Sequence, residues 1–237
     1  MVSGGAEPLL SIRAVVFDLY GTLTEDFGRT GHDAVLVQMA TVLSLSVGDF
    51  IAAWSEASAR RTLGDFATVE ECITHICTTL GAQPDAERIE AAVEMRVGCI
   101  RESLQPRDDA VETLSRLKSL GMLTALIADC SLEVPMLWSL TPFAPLVDSA
   151  LFSSREGLRK PDLMLYQRAC DRLSVAPAEC LYVGDGKSRE LSGAQAGGMT
   201  AVLFAPGSMN GNYTSLEAAS WQGQRIVALK ELMDLVD

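Results

Sequence analysis

The chain has 237 residues, of which 48% are hydrophobic and 21% are charged. This size and composition favour a folded globular core with one sizeable insertion, and they exclude a fibrous or disordered protein. Nineteen Lys and Arg against 31 Asp and Glu give a formal net charge of -12, which repels a phosphate backbone, so we expect no nucleic-acid partner.

The segment from Met1 to Leu10 has neither a basic leader nor an apolar run of signal-peptide length. No later segment reaches the roughly 18 uninterrupted apolar residues of a membrane span. The six cysteines are scattered without a CxxC pair, which is typical of small buried residues in a reducing compartment. We therefore predict a cytoplasmic protein with no membrane partner.

The first predicted strand runs from Ile12 to Asp18. It is an apolar run of β-forming residues that ends in a carboxylate, and Gly21 and Thr22 follow it closely. This pattern indicates a buried strand that opens into a loop.

A long helical stretch, residues 25–103, separates this strand from the next one. Its apolar side chains recur at spacings of three and four, at Leu36, Met39, Leu43, Ile73, Ile76, Leu80, Ile89, Val93 and Val97. A structureless loop of this length is implausible inside a compact domain. We therefore predict a helical cap at residues 25–103 and an α/β core formed by residues 1–24 and 104–237.

Four more strands are predicted in the second part of the chain, at Met122 to Ala128, Ala150 to Phe152, Cys180 to Val183 and Thr200 to Phe204. Helical patterns lie before or between them, at Val111 to Leu120, Leu163 to Leu173 and Glu190 to Ala196. Strands that alternate with helices require right-handed crossovers. The predicted fold class is thus α/β, with a Rossmann-like, doubly wound parallel sheet.

Polar side chains follow several of these strands, namely Asp18, Asp129, Cys130, Ser131, Lys160, Asp185 and Glu190. In open parallel sheets the binding crevice lies beyond the carboxyl ends of the strands, so we expect these side chains at one edge. Two acids and a lysine that meet there can hold a metal ion and an anion.

Three segments carry a family resemblance. They read Val16-Phe17-Asp18-Leu19-Tyr20-Gly21-Thr22-Leu23, then Gly157-Leu158-Arg159-Lys160-Pro161-Asp162, then Val183-Gly184-Asp185-Gly186 through Glu190. In their order and separation, with a helical stretch inserted after the first, they resemble the haloacid dehalogenase superfamily and its C1-capped branch. The resemblance covers nearly the whole chain.

The resemblance implies a hydrolase in which Asp18 is a covalent nucleophile, a role that suits a carboxylate because it is ionised at neutral pH. It implies a Mg²⁺ site formed by Asp18, the main-chain carbonyl of Tyr20 and Asp185, with Glu190 holding a metal-bound water. Lys160 would neutralise the nucleophile and the transferring group. The substrate would be a small, anionic molecule.

Gly21, Asp129, Ser131 and Lys160 are the predicted substrate-binding residues. Gly21, without a side chain, lets the backbone approach a ligand closely. The Ser or Thr that the family uses after its second strand falls on Ala128 here. Asp129 and Ser131 are the nearby polar groups, and Ser131 could substitute only if the strand end were shifted.

Tyr20 departs from the phosphatase pattern, in which a second aspartate two residues after the nucleophile protonates the departing alkoxide. Tyr20 is kept as a candidate catalytic residue because it occupies that position, although a phenol with a pKa of about 10 is a poor base at pH 7. The DxYGTL form is similar to 2-haloacid dehalogenases, whose leaving halide needs no proton. Those enzymes work without a metal and lack the Gly-Asp pair that is present here as Gly184 and Asp185.

Three hypotheses follow from this mixture of motifs. The favoured one is a Mg²⁺-dependent phosphatase that acts on a small phosphomonoester. The second is a 2-haloacid dehalogenase-type hydrolase in which Asp18 displaces halide from carbon. The third is a family member with little hydrolytic activity that binds a metabolite or a protein. His32 and His75 fall in the helical stretch and receive no catalytic role.

Overall fold

The computed structural model describes residues 11–26, 29–207 and 215–236. The expectation of no leader concerns residues 1–10, which lie outside this range. Among the described residues, no single helix is long and apolar enough to cross a membrane. Residues 31–42 and 47–56 reach that length only as a pair, which is bent by 117°.

A six-stranded sheet forms the centre of the fold, in the order β3-β2-β1-β4-β5-β6. The strands are β1 (Ala14–Phe17), β2 (Leu123–Ala128), β3 (Ser149–Phe152), β4 (Cys180–Gly184), β5 (Thr200–Phe204) and β6 (Arg225–Ile226). All neighbouring strands are parallel, which confirms the predicted α/β class. The sixth strand was missed because it is two residues long and offers no periodic pattern.

The chain order reverses at β1, because β2 and β3 lie on one side of it and β4 to β6 on the other. Such a reversal opens a crevice at the carboxyl ends of the strands. Phe17 pairs with Leu126 of β2 and Val183 of β4. The register therefore places Asp18, which follows Phe17, beside the segment that contains Gly184.

Five helices, α1 to α5, occupy the long insertion between β1 and β2. They are α1 (Arg29–Val42), α2 (Val47–Glu56), α3 (Ser58–Leu63), α4 (Val69–Thr79) and α5 (Ala86–Ser103). All of them except α3 contribute to an apolar cluster of their own, which buries Leu36, Met39, Leu43, Phe50, Trp54, Ile73, Ile76 and Ile89 among others. Side-chain caps begin two of them, since Thr68 accepts from the Glu71 amide and Asp85 from the Arg88 amide.

The second half of α5 leaves this cluster and packs on the sheet. Val97, predicted as part of the helical insertion's stripe, contacts the sheet's apolar cluster instead, together with Ile100 and Leu104. One helix therefore has its first half in the insertion and its second half on the core. Its last residue, Ser103, coincides with the predicted end of the insertion.

Seven further helices cover the sheet: α6 (Ala110–Ser119), α7 (Glu133–Leu137), α8 (Ser153–Glu156), α9 (Leu163–Leu173), α10 (Glu190–Ala196), α11 (Leu216–Ser220) and α12 (Met233–Val236). The alternation of β1 assigns its side chains to two faces. Val15 and Phe17 pack with the cluster that includes α6, and Ala14 and Val16 pack with α9 and α10. The sheet is thus buried on both faces, as parallel sheets require.

Gly64 ends α3 at the point where this helix meets α8, and it gives a test of that contact. Its φ is +81°, and a Cβ there would lie 1.9 Å from the carbonyl oxygen of Ser154. Gly81 has a φ of +73°, and a Cβ there would meet no atom within 4 Å, so Gly81→Ala reports the backbone cost alone, about 1–2 kcal/mol. We expect Gly64→Ala to lower the free energy of unfolding by about 1–3 kcal/mol more than Gly81→Ala, as measured by urea denaturation. Equal losses would contradict the close contact.

Candidate active site

Asp18 lies directly after β1 and is 5% exposed. Its amide donates to the carbonyl of Val183 at 2.9 Å, which extends the pairing of β1 with β4. Its Oδ2 accepts from Thr22 Oγ1 at 3.1 Å, and its Oδ1 accepts from Lys160 Nζ at 2.5 Å. Both carboxylate oxygens are therefore oriented by protein donors.

Lys160 is 5% exposed and joins two carboxylates. Its Nζ lies 2.5 Å from Asp18 Oδ1 and 2.5 Å from Glu190 Oε2. Its amide donates to Asp129 Oδ1 at 3.0 Å, which fixes the backbone of the loop that carries it. Burial opposes the charged ammonium, but the Asp18 and Glu190 carboxylates outweigh it and raise the pKa of Lys160 above its usual range.

Glu190, the first residue of α10, is fully buried. Besides Lys160, it accepts from the Tyr182 hydroxyl at 2.9 Å and from the Gly186 amide at 2.9 Å. A Cβ at Gly184 would lie 2.2 Å from Glu190 Oε1, so only glycine allows this approach. Glu190 therefore anchors Lys160 and the loop between β4 and α10.

This loop holds Asp185, which is 3% exposed, close to Asp18. Asp185 Oδ1 accepts from the Lys187 amide at 2.9 Å, and Lys187 Nζ lies 3.1 Å from its Oδ2. Three of the next four residues, Gly186, Ser188 and Arg189, have φ between +55° and +82°. Left-handed backbone at non-glycine residues is costly and concentrates at functional sites.

The carboxylates of Asp18, Asp185 and Glu190 each offer an oxygen, and these oxygens all lie within 4.8 Å of one another. Among the described residues, no other group of three or more His, Cys, Asp or Glu comes this close together. Burial and the nearby Asp18 raise the pKa of Asp185, and they raise that of Glu190 to about 8. Three carboxyl groups thus crowd into one buried place beside Lys160 and Lys187, which favours protonation of Glu190, and their hard oxygen donors fit a Mg²⁺ ion.

The structure brings together the charged residues that the sequence singled out. The two glycines of the site, however, make room for protein atoms, whereas Gly21 was expected to make room for a ligand. A Cβ at Gly21, where φ is +87°, would lie 2.2 Å from Asp185 Oδ2. A Cβ at Gly186 would meet Ala218 at 3.0 Å. The crowding atoms at both glycines belong to the protein itself.

Tyr20 directs its hydroxyl to the insertion. Its Oη lies 3.1 Å from Ser103 Oγ at the end of α5. Burial raises the pKa of Tyr20 well above its usual range, so the phenol stays protonated at neutral pH. It can donate a hydrogen bond but does not supply a base.

The polar residues after β2 divide between two surroundings. β2 ends at Ala128, so the shift that would let Ser131 replace the missing hydroxyl does not occur. Asp129 is half-buried and bonds the backbone of Lys160. Ser131 Oγ instead accepts from Arg96 Nη2 of α5 at 3.4 Å.

A cavity of about 530 Å³ lies between the insertion and the crevice. Its lining residues are Tyr20, Asp26, His32, Ser58, Arg61, Thr62, Arg96, Ile100, Asp129, Cys130, Ser131, Val134 and Lys187. Its volume suits a small metabolite. The cavity adjoins the acidic cluster, because Asp129 bonds Lys160 and Lys187 bonds Asp185.

Sequence reasoning missed Arg61, Arg96 and Lys187 of this cavity and gave His32 no catalytic role. A signal for Arg96 was present, because the buried stripe of α5 runs Ile89, Ala92, Arg96 and Ile100. A charged residue on the buried face of a helix is uncommon and calls for a partner. Arg61 and His32 had no comparable signal, since both lie at partly exposed positions.

Comparisons with known proteins find relatives along most of the chain. The model of the haloacid dehalogenase-like hydrolase family matches residues 12–198. The chain is 31% identical over 238 residues to (S)-2-haloacid dehalogenase 4A of Burkholderia cepacia, covering 95% of each chain. It is 28% identical over 135 residues to glyceraldehyde 3-phosphate phosphatase of Methanocaldococcus jannaschii, covering 56% of this chain and 57% of the relative.

The fold is shared with solved structures as well. The crystal structure of the HAD phosphatase from Thermococcus onnurineus superposes with a TM-score of 0.66 and 20% identity, over 95% of this chain and 98% of that one. The curated relatives include both dehalogenases and phosphatases. On the extent of the family match and the identity over nearly its full length, the chain belongs to the haloacid dehalogenase-like hydrolase family.

Proposed function

We propose that this protein is a Mg²⁺-dependent phosphatase that hydrolyses a small phosphomonoester, with Asp18 as its covalent nucleophile. The observation that carries the proposal is the buried cluster of Asp18, Asp185 and Glu190, whose oxygens lie within 4.8 Å of one another. Displacement of halide from carbon, the metal-free alternative, gives this convergence of three oxygen donors no task. A phosphatase uses such donors to hold a divalent cation beside an anionic substrate.

Asp18 and Asp185 would hold the metal, together with the main-chain carbonyl of Tyr20. A bound Mg²⁺ would stabilise the negative charge on the phosphoryl oxygens. Glu190 already accepts hydrogen bonds from Lys160, Tyr182 and Gly186, so its main task is to orient these groups and the loop, besides any contact with a metal-bound water. Lys160 stays charged and offsets the charge of Asp18 and of the transferring group.

The reaction would proceed in two displacements. A carboxylate oxygen of Asp18 attacks phosphorus, and the ester P–O bond breaks with its electron pair going to the leaving oxygen, which takes up a proton. Water then attacks the aspartyl phosphate, which releases phosphate and restores Asp18. Because burial makes the Tyr20 phenol a weak acid and its hydroxyl bonds Ser103, substrates whose leaving oxygen needs no proton from the enzyme are favoured.

A second candidate is 2-haloacid dehalogenase-type hydrolysis, in which Asp18 displaces halide from carbon and water cleaves the resulting ester. It is supported by Tyr20 at the position where phosphatases carry aspartate. It is also supported by the similarity to (S)-2-haloacid dehalogenase 4A over 95% of the chain. The same nucleophile serves both candidates, so they are separated by substrate and metal dependence.

We also propose that residues 25–103 act as a cap, as in the C1-capped branch, over a core formed by residues 1–24 and 104–237. Two features support this division. The helices α1, α2, α4 and α5 share an apolar cluster of their own, and the cavity of about 530 Å³ lies between the insertion and the crevice. A cytoplasmic location stays a prediction from the sequence.

The nucleophile is tested with Asp18→Asn. We expect the wild-type protein to hydrolyse p-nitrophenyl phosphate with Mg²⁺ and to lose this activity in EDTA. Asp18→Asn should lower kcat by at least about 1,000-fold, because an amide cannot form the intermediate. Asp171→Asn is the matched control, since Asp171 lies exposed on α9, and it should retain activity.

The same assay separates the candidates. Chloride release from 2-chloropropionate in the presence of EDTA, without phosphatase activity, would replace the first proposal by the second. No turnover of either substrate, combined with a metabolite that raises the melting temperature, would favour a binding role instead.

Tyr20→Asp tests the account of the missing acid. Introducing a carboxyl two residues after the nucleophile should raise kcat for glycerol 3-phosphate, whose alkoxide needs a proton, by at least about tenfold. The effect on p-nitrophenyl phosphate should be smaller because its phenolate leaves unaided. The side chain introduced by Tyr20→Asn has nearly the same shape as that of Tyr20→Asp but transfers no proton. This variant should therefore show no gain in kcat for glycerol 3-phosphate. Similar rates for the Asp and Asn variants would mean that the leaving group is protonated by another route.

A further inference from the structure

The cap side of the cavity carries a group of basic residues that the proposed chemistry at Asp18 does not use. Arg96 is 5% exposed, and its Nε donates to Glu133 Oε1 at 2.5 Å. Its Nη1 donates to His32 Nδ1 at 3.1 Å, and its Nη2 donates to Ser131 Oγ at 3.4 Å. Arg96 is thus held by partners from α1, α7 and the loop after β2.

Arg61 stands beside Arg96, but its partners are a carbonyl and a thiol, not a carboxylate. Its guanidinium lies 4.1 Å from the ring centroid of Trp54, and Nη1 donates to the Trp54 carbonyl. Its Nε is buried without a hydrogen-bond partner, and no carboxylate in the described part of the chain lies within 4.0 Å of its guanidinium. The neighbouring Cys72 thiol stays neutral, because burial raises its pKa to about 11.

Arg61, Arg96 and Glu133 together carry a net positive charge. Two guanidinium groups, those of Arg61 and Arg96, face the single buried carboxylate of Glu133. Burial lowers the pKa of Arg61 to about 10, and the nearby Arg96 acts in the same direction, yet Arg61 remains charged at neutral pH. The excess positive charge lies on the cap side of the cavity, whereas Asp26, Asp129 and Lys187 line it elsewhere. In a chain whose net charge is -12, this local excess points to an anion that enters from solution.

We propose that Arg61, oriented by its stacking on Trp54 and supported by Arg96, binds a second anionic group of the substrate, a carboxylate or a phosphate. This inference rests on the proposed function, in which the first anionic group is the phosphoryl group that reacts at Asp18. The substrate class is then a small phosphomonoester whose alcohol portion carries a carboxylate or a second phosphate. A guanidinium suits the task because its planar donors match the oxygens of a carboxylate or phosphate.

The positions of Arg61 and Arg96 support binding of the end of the substrate that lies opposite the reacting phosphate. Arg61 and Arg96 come from α3 and α5 of the insertion, whereas Tyr20, Asp129 and Lys187 line the same cavity from the core side. A ligand that fills this cavity of about 530 Å³ contacts both sides at once. The core side would therefore hold the reacting group and the cap side the second charge.

Three probes with a three-carbon skeleton test the inference in the wild-type enzyme with Mg²⁺: 3-phosphoglycerate, glycerol 3-phosphate and propane-1,3-diol bisphosphate. They differ in the group farthest from the reacting phosphate, which is a carboxylate, a hydroxyl or a second phosphate, and propane-1,3-diol bisphosphate also lacks the central hydroxyl. We expect kcat/KM for at least one doubly anionic probe to exceed that for glycerol 3-phosphate by about tenfold or more. The better of the two identifies the anion, and no preference for either would overturn the proposal.

Arg61→Gln should lower this preference ratio by about 10- to 100-fold, as expected for the loss of a charge-assisted hydrogen bond. Arg60→Gln is the matched control, because Arg60 is the adjacent arginine of α3 but contacts Asp65 and His75 outside the cavity. It should leave the ratio as it is in the wild type. An equal change in both variants, or no change in Arg61→Gln, would contradict a role of Arg61 in binding.

Direct binding separates this inference from the proposed function. Calorimetry with the inactive Asp18→Asn variant and 3-phosphoglycerate or propane-1,3-diol bisphosphate should detect binding that weakens by about 10- to 100-fold in Asp18→Asn with Arg61→Gln. If the wild-type enzyme turns over no phosphate ester but this binding difference persists, the anion site stands and the phosphatase proposal fails. If turnover occurs without the binding difference, the phosphatase proposal stands and the anion site fails.

Discussion

The contact between Lys160 and the carboxylates of Asp18 and Glu190 is the interaction on which the site depends. Two oxygens lie 2.5 Å from one ammonium that is almost fully buried. Breaking a buried pair of this kind leaves an uncompensated charge, which costs about 3–5 kcal/mol. Asp18 follows β1, Lys160 lies in the loop before α9, and Glu190 begins α10. The contact therefore holds three segments that are distant in sequence against one another.

The local backbone is shaped to permit this convergence. Gly21 and Gly184 each leave room for a carboxylate oxygen that would lie 2.2 Å from a Cβ at their positions. Between Asp185 and Glu190 the chain adopts left-handed backbone at Gly186, Ser188 and Arg189. These features are unfavourable alone and are stabilised by the hydrogen bonds of the buried carboxylates.

The sequence predicts the core better than the insertion, for physical reasons. Buried parallel strands appear as short apolar runs, and α9 and α10 have the predicted bounds because their periodicity is local. Residues 18, 160, 185 and 190 converge because parallel strands end at one edge. β6 has too few residues to form a pattern, and the group around Arg61 depends on contacts between helices that no local period encodes.

The ion pair of Arg96 with Glu133 constrains how a ligand can enter. It joins α5, from the insertion, to α7, from the core, with both side chains less than 7% exposed. Lifting α5 away would strip both charges of their partner, while α1 to α4 carry no equally buried pair to the core in the described part of the chain. The ion pair therefore holds α5 against α7, and a ligand that enters the cavity does so at least cost without separating these two helices.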